Sequence, residues 1–283
     1  MTSLGKSSPH PISDPVSVPL TLGSLFSGYG GLDLAAKKVL DADLAWYSEI
    51  DPAACQIMET HHPHKSNIGD VTEVDWSSIP NVDILTGGYP CQPFSTAGKR
   101  KGQDDERHLW PYIREAIDSL GPRLVILENV RGHLTLGFTD VLSDLATLGF
   151  NVRWGVVRAS NAGAPHGRAR LFIVAHPSGT DWGDTKPHNL VPARPRTAEP
   201  RERDSADTWG TYAQAIQGWE QILGRPAPAA WDDKLINPPF VEWMMGLPEG
   251  WVTGHGLTRS DELRILGNGV VPQQAELALS YLL

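Results

Sequence analysis

The sequence predicts a doubly wound α/β domain carrying a small inserted lobe. Short apolar runs alternate with helix-period segments through the first half of the chain, as in parallel-sheet folds. The earliest run, Leu20 to Phe26, breaks into Ser27-Gly28-Tyr29-Gly30-Gly31 and then into a helical stretch, Leu32 to Leu40. Strand, glycine loop and helix in that order form a phosphate- or nucleotide-binding pattern. Residues with chemical potential also fall just past the ends of apolar runs, where open α/β sheets collect their ligands.

Composition narrows the field. The chain has 283 residues, of which 40% are hydrophobic, enough for one substantial core. No run is long and apolar enough to cross a bilayer, and the first residues lack a basic-plus-apolar leader, so a cytoplasmic location is expected. Two cysteines give no disulfide framework and suit a reducing compartment. A net charge of −9 argues against a nonspecific nucleic-acid coat, although a basic cleft on an acidic body stays compatible with it. Residues 1 to 19 are rich in Ser, Pro and Thr and read as a disordered arm.

Within the domain, Leu44 to Ser48 reads as the second strand, ending in Glu49-Ile50-Asp51. A carboxylate at that position is placed to accept hydrogen bonds from ribose hydroxyls. Asp51 followed by Pro52 is a helix start, and the helix to His61 carries Cys55 as a core residue. His61, His62 and His64 surround Pro63 and share no helix face, so they read as helix-end cations rather than zinc ligands. Val82 to Leu85 is a buried strand broken by Gly87-Gly88-Tyr89-Pro90, which puts Cys91 on an exposed turn as a candidate nucleophile. Arg123 to Leu127 is a strand ending in Glu128-Asn129-Val130, which sets a second reactive group on the same sheet edge. Further on, Phe138 to Leu148 reads as a helix and Asn151 to Arg158 as a strand. Arg168 and Arg170 then enter the strand Leu171 to Val174 from one side.

Several of these stretches resemble, in order, the motifs of the cytosine carbon-5 DNA methyltransferases. Pro90-Cys91-Gln92 followed by Phe94-Ser95 is similar to that family's nucleophile motif. Phe26-Ser27-Gly28-Tyr29-Gly30-Gly31-Leu32 resembles its S-adenosyl-L-methionine loop, and Asn67 to Val71 its third motif. Glu128-Asn129-Val130 and the Arg168-Ala169-Arg170 segment continue the likeness, with His166 where the family usually has Gln. Leu266 to Pro272 resembles the last motif, with Gly269 where Ser or Ala is commoner. That difference is expected to cost one cofactor hydrogen bond.

The resemblance implies a Rossmann-like S-adenosylmethionine-dependent fold over residues 20–176, completed by 235–283, with residues 177–234 as a target-recognition insert. It assigns catalysis to Cys91, Glu128, Arg168 and Arg170. It assigns cofactor binding to Phe26, Ser27, Gly28, Gly30, Gly31, Glu49, Ile50, Asp70, Val71, Pro90, Leu109, Asn268 and Val270. Glu49 would take ribose, Ile50 the adenine face and Asp70 the adenine amino group. Gln92, Ser95, Lys99, Arg100 and Lys101 would touch double-stranded DNA. In the insert, Trp209 to Leu223 is expected to form one helix whose Trp209 and Trp219 pack a small core of the lobe. No metal is implied, a monomer is expected, and a cognate restriction endonuclease is a candidate partner. Two alternatives share these motifs: methylation of tRNA by the same core, and a silent relative that binds without turnover.

Overall fold

The computed structural model describes residues 19–90, 109–179 and 209–283. Among them a seven-stranded sheet runs in the order β3-β2-β1-β4-β5-β7-β6. Its strands are β1 (Leu20–Leu25), β2 (Ala42–Ser48), β3 (Ser66–Asn67), β4 (Ile84–Gly87), β5 (Leu124–Val130), β6 (Phe150–Arg158) and β7 (Ala169–Pro177). β1 lies between β2 and β4, and β1 to β5 are all parallel. The chain winds outward from β1 first to one side and then to the other, and the strand ends where the order reverses are where open α/β sheets bind their ligands. β7 runs antiparallel to both β5 and β6, so the far edge of the sheet is a hairpin, which a parallel pattern did not foretell.

Helices cover both faces, which is why the central strands read as continuous apolar runs rather than alternating ones. On one face α1 (Gly31–Leu40) and α8 (Pro272–Leu282) cover Leu22, Ile84, Ile126 and Phe172. On the other, α3 (Trp110–Leu120) and α4 (Phe138–Thr147) cover Leu85, Val125, Leu127 and Ile173. α8 ties the end of the chain to this sheet, and its buried Gln274 donates to the carbonyls of Val157 and Arg168, both at 2.8 Å.

A third core stands beside the sheet. It gathers Tyr29, α2 (Pro52–His61), α5 (Ala213–Leu223), α6 (Pro238–Met244) and α7 (Arg259–Asn268). Asp51 caps α2 as expected, accepting from Ala53 and Ala54 N–H at 3.0 and 3.1 Å. Trp209 and Trp219 were expected in a lobe of their own. Instead Trp219 is fully buried in this shared core and donates to the Trp243 carbonyl at 2.9 Å, while Trp209 stacks on Phe240. The helix there begins as a short 3₁₀ turn at Gly210–Tyr212 and becomes α-helical from Ala213.

Candidate active site

The sheet end where β4, β5 and β7 meet builds one half of the site. Glu128, two residues before the end of β5, pairs in register with Phe172, and Val130 pairs with Arg170. This offset of two residues puts Glu128 and Arg170 on one face, and Arg170 Nε donates to Glu128 Oε1 at 2.9 Å. The carboxylate is 7% exposed. Burial pushes its pKa up to about 7, while the charges of Arg170 and Arg168 pull it down. Oε2 points toward Gly88, where an added Cβ would stand 3.5 Å from it.

The backbone leaving β4 is anchored to the same element. Asn129 Nδ2 donates to the Tyr89 carbonyl at 3.2 Å, and the Tyr89 hydroxyl bonds His133 Nε2 at 2.7 Å. Pro90, exposed, is the next residue. Cys91, Gln92, Ser95, Lys99, Arg100 and Lys101 lie outside the described residues.

Arg168, whose charge acts on Glu128 together with that of Arg170, also has partners of its own. Its Nη1 and Nη2 donate to the carbonyls of Gly267 and Gly269 at 2.9 and 2.6 Å, which turns the guanidinium onto the last motif.

The other half of the site is the glycine loop after β1. Gly28 and Gly30 adopt φ of 56° and 79°, which favour glycine. A Cβ at Gly28 would meet no atom within 4 Å, so this side of the loop faces open space. Ser27 is fastened to β2 through its N–H on the Ser48 carbonyl at 3.3 Å. Beneath the loop, the buried carboxylate of Asp33 accepts from Ser24 and Thr86 hydroxyls at 2.7 and 2.6 Å and so ties α1 to β1 and β4. Burial raises its pKa, and these two bonds oppose the rise.

Glu49 follows β2. One oxygen takes Gly28 N–H at 2.8 Å and the other takes Ile50 and Asp51 N–H, each at 2.8 Å. Beside it Ile50 is 66% exposed. Asp70 stands close by, because Ser48 Oγ donates to the Gly69 carbonyl at 2.6 Å. Its Oδ1 accepts from Thr72 N–H and Oγ1 at 2.9 and 2.8 Å. Leu109 caps α3 and is half-buried, whereas Trp110 beside it is spent on Asp144 at 2.7 Å.

Other expected cofactor residues turn inward. The side chains of Val71 and Val270 are buried in the core, while Asn268 is exposed at the end of α7. Phe26 packs on the core at φ 53°, a left-handed conformation rare outside glycine.

Cys55 was expected in the core but is only half-buried. Its thiol donates to the Glu49 carbonyl at 3.3 Å and accepts from Asn67 Nδ2 at 3.3 Å. Asn67 also receives Glu49 N–H and donates to the Glu49 carbonyl, at 3.2 and 3.0 Å. Together they hold the backbone of Glu49. His61 is likewise engaged, stacked on Trp251 at 3.7 Å between ring centres.

Two supports escaped sequence reasoning. Glu242 on α6 is 1% exposed and accepts from Gly250, Val252 and Thr253 N–H and from the Thr253 hydroxyl, at 2.6 to 3.0 Å. The segment it holds carries Trp251, whose Nε1 donates to the Tyr29 carbonyl at 2.8 Å. The signal available was a charged residue inside an otherwise apolar run, Phe240 to Leu247.

The sequence profile of the C-5 cytosine-specific DNA methylase family matches residues 20–221. The chain belongs to that family. Among its curated relatives, the Type II methyltransferase M.NgoBV of Neisseria gonorrhoeae is 34% identical over 167 residues, covering 53% of this chain and 40% of the relative. The Type II methyltransferase M.BsuFI of Bacillus subtilis is 36% identical over 167 residues, covering 56% and 40%. The chain thus spans well under two thirds of the length of these methylases. DNMT2 of Spodoptera frugiperda shares the fold at a TM-score of 0.65 and 16% identity, covering 93% of this chain and 99% of that one. A putative DNA modification methyltransferase of an Escherichia coli prophage does so at 0.64 and 21%, covering 92% and 97%.

Proposed function

We propose that this methylase transfers a methyl group from S-adenosyl-L-methionine to carbon 5 of cytosine in duplex DNA. The observation that carries the reading is the buried Glu128–Arg170 pair beside the Gly88–Pro90 segment, one residue before Cys91. Carbon 5 of cytosine is a poor nucleophile. Attack of the Cys91 thiolate on carbon 6 turns the ring into an enamine with electron density at carbon 5. Glu128, with a pKa raised to about 7, holds a proton near neutrality and donates it in a hydrogen bond to the ring nitrogen as the thiolate adds. Arg170 orients that carboxyl group. After methylation a base takes the carbon-5 proton, and Cys91 departs with the restored double bond. The cytosine must leave the duplex stack to reach such a site.

The cofactor half fits its expected occupant. An open glycine loop, a carboxylate at the second strand end and the exposed Ile50 suit a methionine chain, a ribose and an adenine. S-adenosylmethionine, when bound, supplies an electrophilic methyl group. The residues that would hold it are Ser27 to Gly31, Glu49, Ile50 and Asp70, with Leu109 nearby. Arg168 is a positioning residue in this reading, bracing Gly267 and Gly269 rather than touching the base. Lys99, Arg100 and Lys101 remain proposed DNA contacts, and residues within 177–234 the proposed reader of the target sequence.

The test uses duplex DNA with 5-fluorocytosine at target positions. Fluorine cannot leave as the proton does, so the wild-type chain should remain covalently attached on a denaturing gel. Cys91→Ser should neither attach nor turn over, whereas Cys55→Ser should do both. Methyl incorporation into tRNA but not duplex DNA would move the substrate assignment to RNA.

A further inference from the structure

The glycine loop and the last motif are locked together by one phenol. Tyr29 is 0% exposed, and its hydroxyl donates to the Val270 carbonyl at 2.7 Å. Its ring fills the volume beside Gly269, where an added Cβ would lie 1.9 Å from Tyr29 Cε1 and 2.3 Å from Cζ. Gly269 has φ −75° and ψ −177°, a conformation open to any residue. The glycine is therefore demanded by the space Tyr29 takes and not by backbone conformation. On the other side of the phenol, a Cβ at Gly31 would meet Tyr29 Cε2 at 2.6 Å and the Val270 carbonyl oxygen at 2.2 Å. Two glycines thus form a slot for one side chain.

The same strip of backbone connects to the chemistry. Arg168 grips Gly267 and Gly269 from its own side, and two residues on Arg170 holds Glu128. From the loop side, Gly28 N–H holds the Glu49 carboxylate. Tyr29 therefore stands between the residues that would carry the methyl donor and those that would grip the base.

We propose that Tyr29 is a positioning residue, fixing the cofactor loop against the Gly269–Val270 backbone through its hydroxyl and its fit to two glycines. The proposal rests on the methyltransferase reading above. A phenol that merely filled space would be replaced by Phe with no effect on ligand binding, since ring and packing are kept.

The experiment is calorimetric titration of the full chain with S-adenosylhomocysteine, the demethylated product, which binds without reacting. It is run at a temperature where circular dichroism shows every variant folded. Tyr29→Phe should raise Kd about 3- to 10-fold, the effect of one buried hydrogen bond. Gly269→Ala should weaken binding further, because the new methyl group displaces the phenol. The double variant Tyr29→Leu/Gly269→Ala should bind better than Gly269→Ala alone, a coupling that separate structural defects do not give. Unchanged Kd in Tyr29→Phe, whatever its melting temperature, overturns the proposal. So does additivity of the two changes. A wild-type chain that does not bind S-adenosylhomocysteine overturns the methyltransferase reading itself, and this inference with it.

Discussion

Arg170 donates to Glu128 across two strands that run in opposite directions, at 2.9 Å, with 19% and 9% of the two side chains exposed. The pair is too dry for the carboxylate to ionise freely and too close to the guanidinium for it to stay protonated at all pH. Its charge state therefore sits near balance at neutral pH.

That balance has a measurable direction. The folded pKa of about 7 lies above the ordinary value of 4.5 expected in the unfolded chain, so the folded state holds the proton more tightly. The stabilisation is complete below about pH 4.5 and is lost as pH rises through 7, by a total of roughly 3 kcal/mol. Glu128→Gln should remove this slope from urea-denaturation midpoints between pH 5 and 8, and should abolish methyl transfer at every pH. In Arg170→Ala the opposing charge is gone, so the alkaline limb of kcat/KM should move to higher pH. A limb that stays in place would assign it to another group.

Glu49 gives a second prediction. Its carboxylate already caps three backbone N–H groups, so removing it would loosen Gly28 as well as the proposed ribose contact. Glu49→Ala should weaken S-adenosylmethionine binding by roughly 1–3 kcal/mol, the range for hydrogen bonds to a charged group. Asn67→Ala, which frees the same residue from behind, should have a smaller effect in the same direction. Equal affinities for wild type and both variants in calorimetry would remove these residues from the cofactor half.

The strand ends were legible in the sequence because parallel strands buried on both faces are continuous apolar runs, and glycine or a carboxylate marks where each stops. The glycine loop, Glu49, Glu128 and the capping role of Asp51 followed directly. Side-chain partners that depend on distant segments were not legible. Nothing local says that Tyr29 fits Gly269, 240 residues away, that Cys55 holds Asn67, or that His133 meets Tyr89. The grip of Arg168 on Gly267 and Gly269 was not legible either, because those carbonyls come from a distant segment. The antiparallel β7 was invisible for another reason: a strand buried on both faces reads alike in either direction.

Glu242 supplies a stability test away from the chemistry. It is buried with four donors turned on it, and Ala would leave all four without their acceptor. A buried donor left without an acceptor costs about 1–3 kcal/mol. Glu242→Ala should lower the thermal midpoint by more than 5 °C, a shift expected of about 2 kcal/mol or more in a chain of this size. Glu242→Gln, which keeps one acceptor oxygen, should recover part of the loss. A midpoint unchanged in Glu242→Ala would mean that water serves the four donors equally well.

The insert offers the last prediction, and Trp219 decides where its boundary lies. Its ring is fully buried with Tyr29 and Trp243, its Nε1 bonds the Trp243 carbonyl, and Gly246 and Gly163 both lie close to it. α5 therefore behaves as part of the framework, although the sequence placed it inside the region expected to read DNA. Trp219→Ala should cost about 3–5 kcal/mol of stability, as large aromatic truncations in a core do. A graft from a relative of different specificity confined to residues 180–208 replaces none of the core residues just named and should fold with a thermal midpoint within a few degrees of wild type. A graft of 177–234 replaces Trp219 and the helix around it, and should be markedly less stable. If the shorter graft methylates the donor's sites, recognition resides in 180–208. If it folds and still marks the original sites, recognition lies outside that stretch, and the segment around Lys99 to Lys101 becomes the next to exchange.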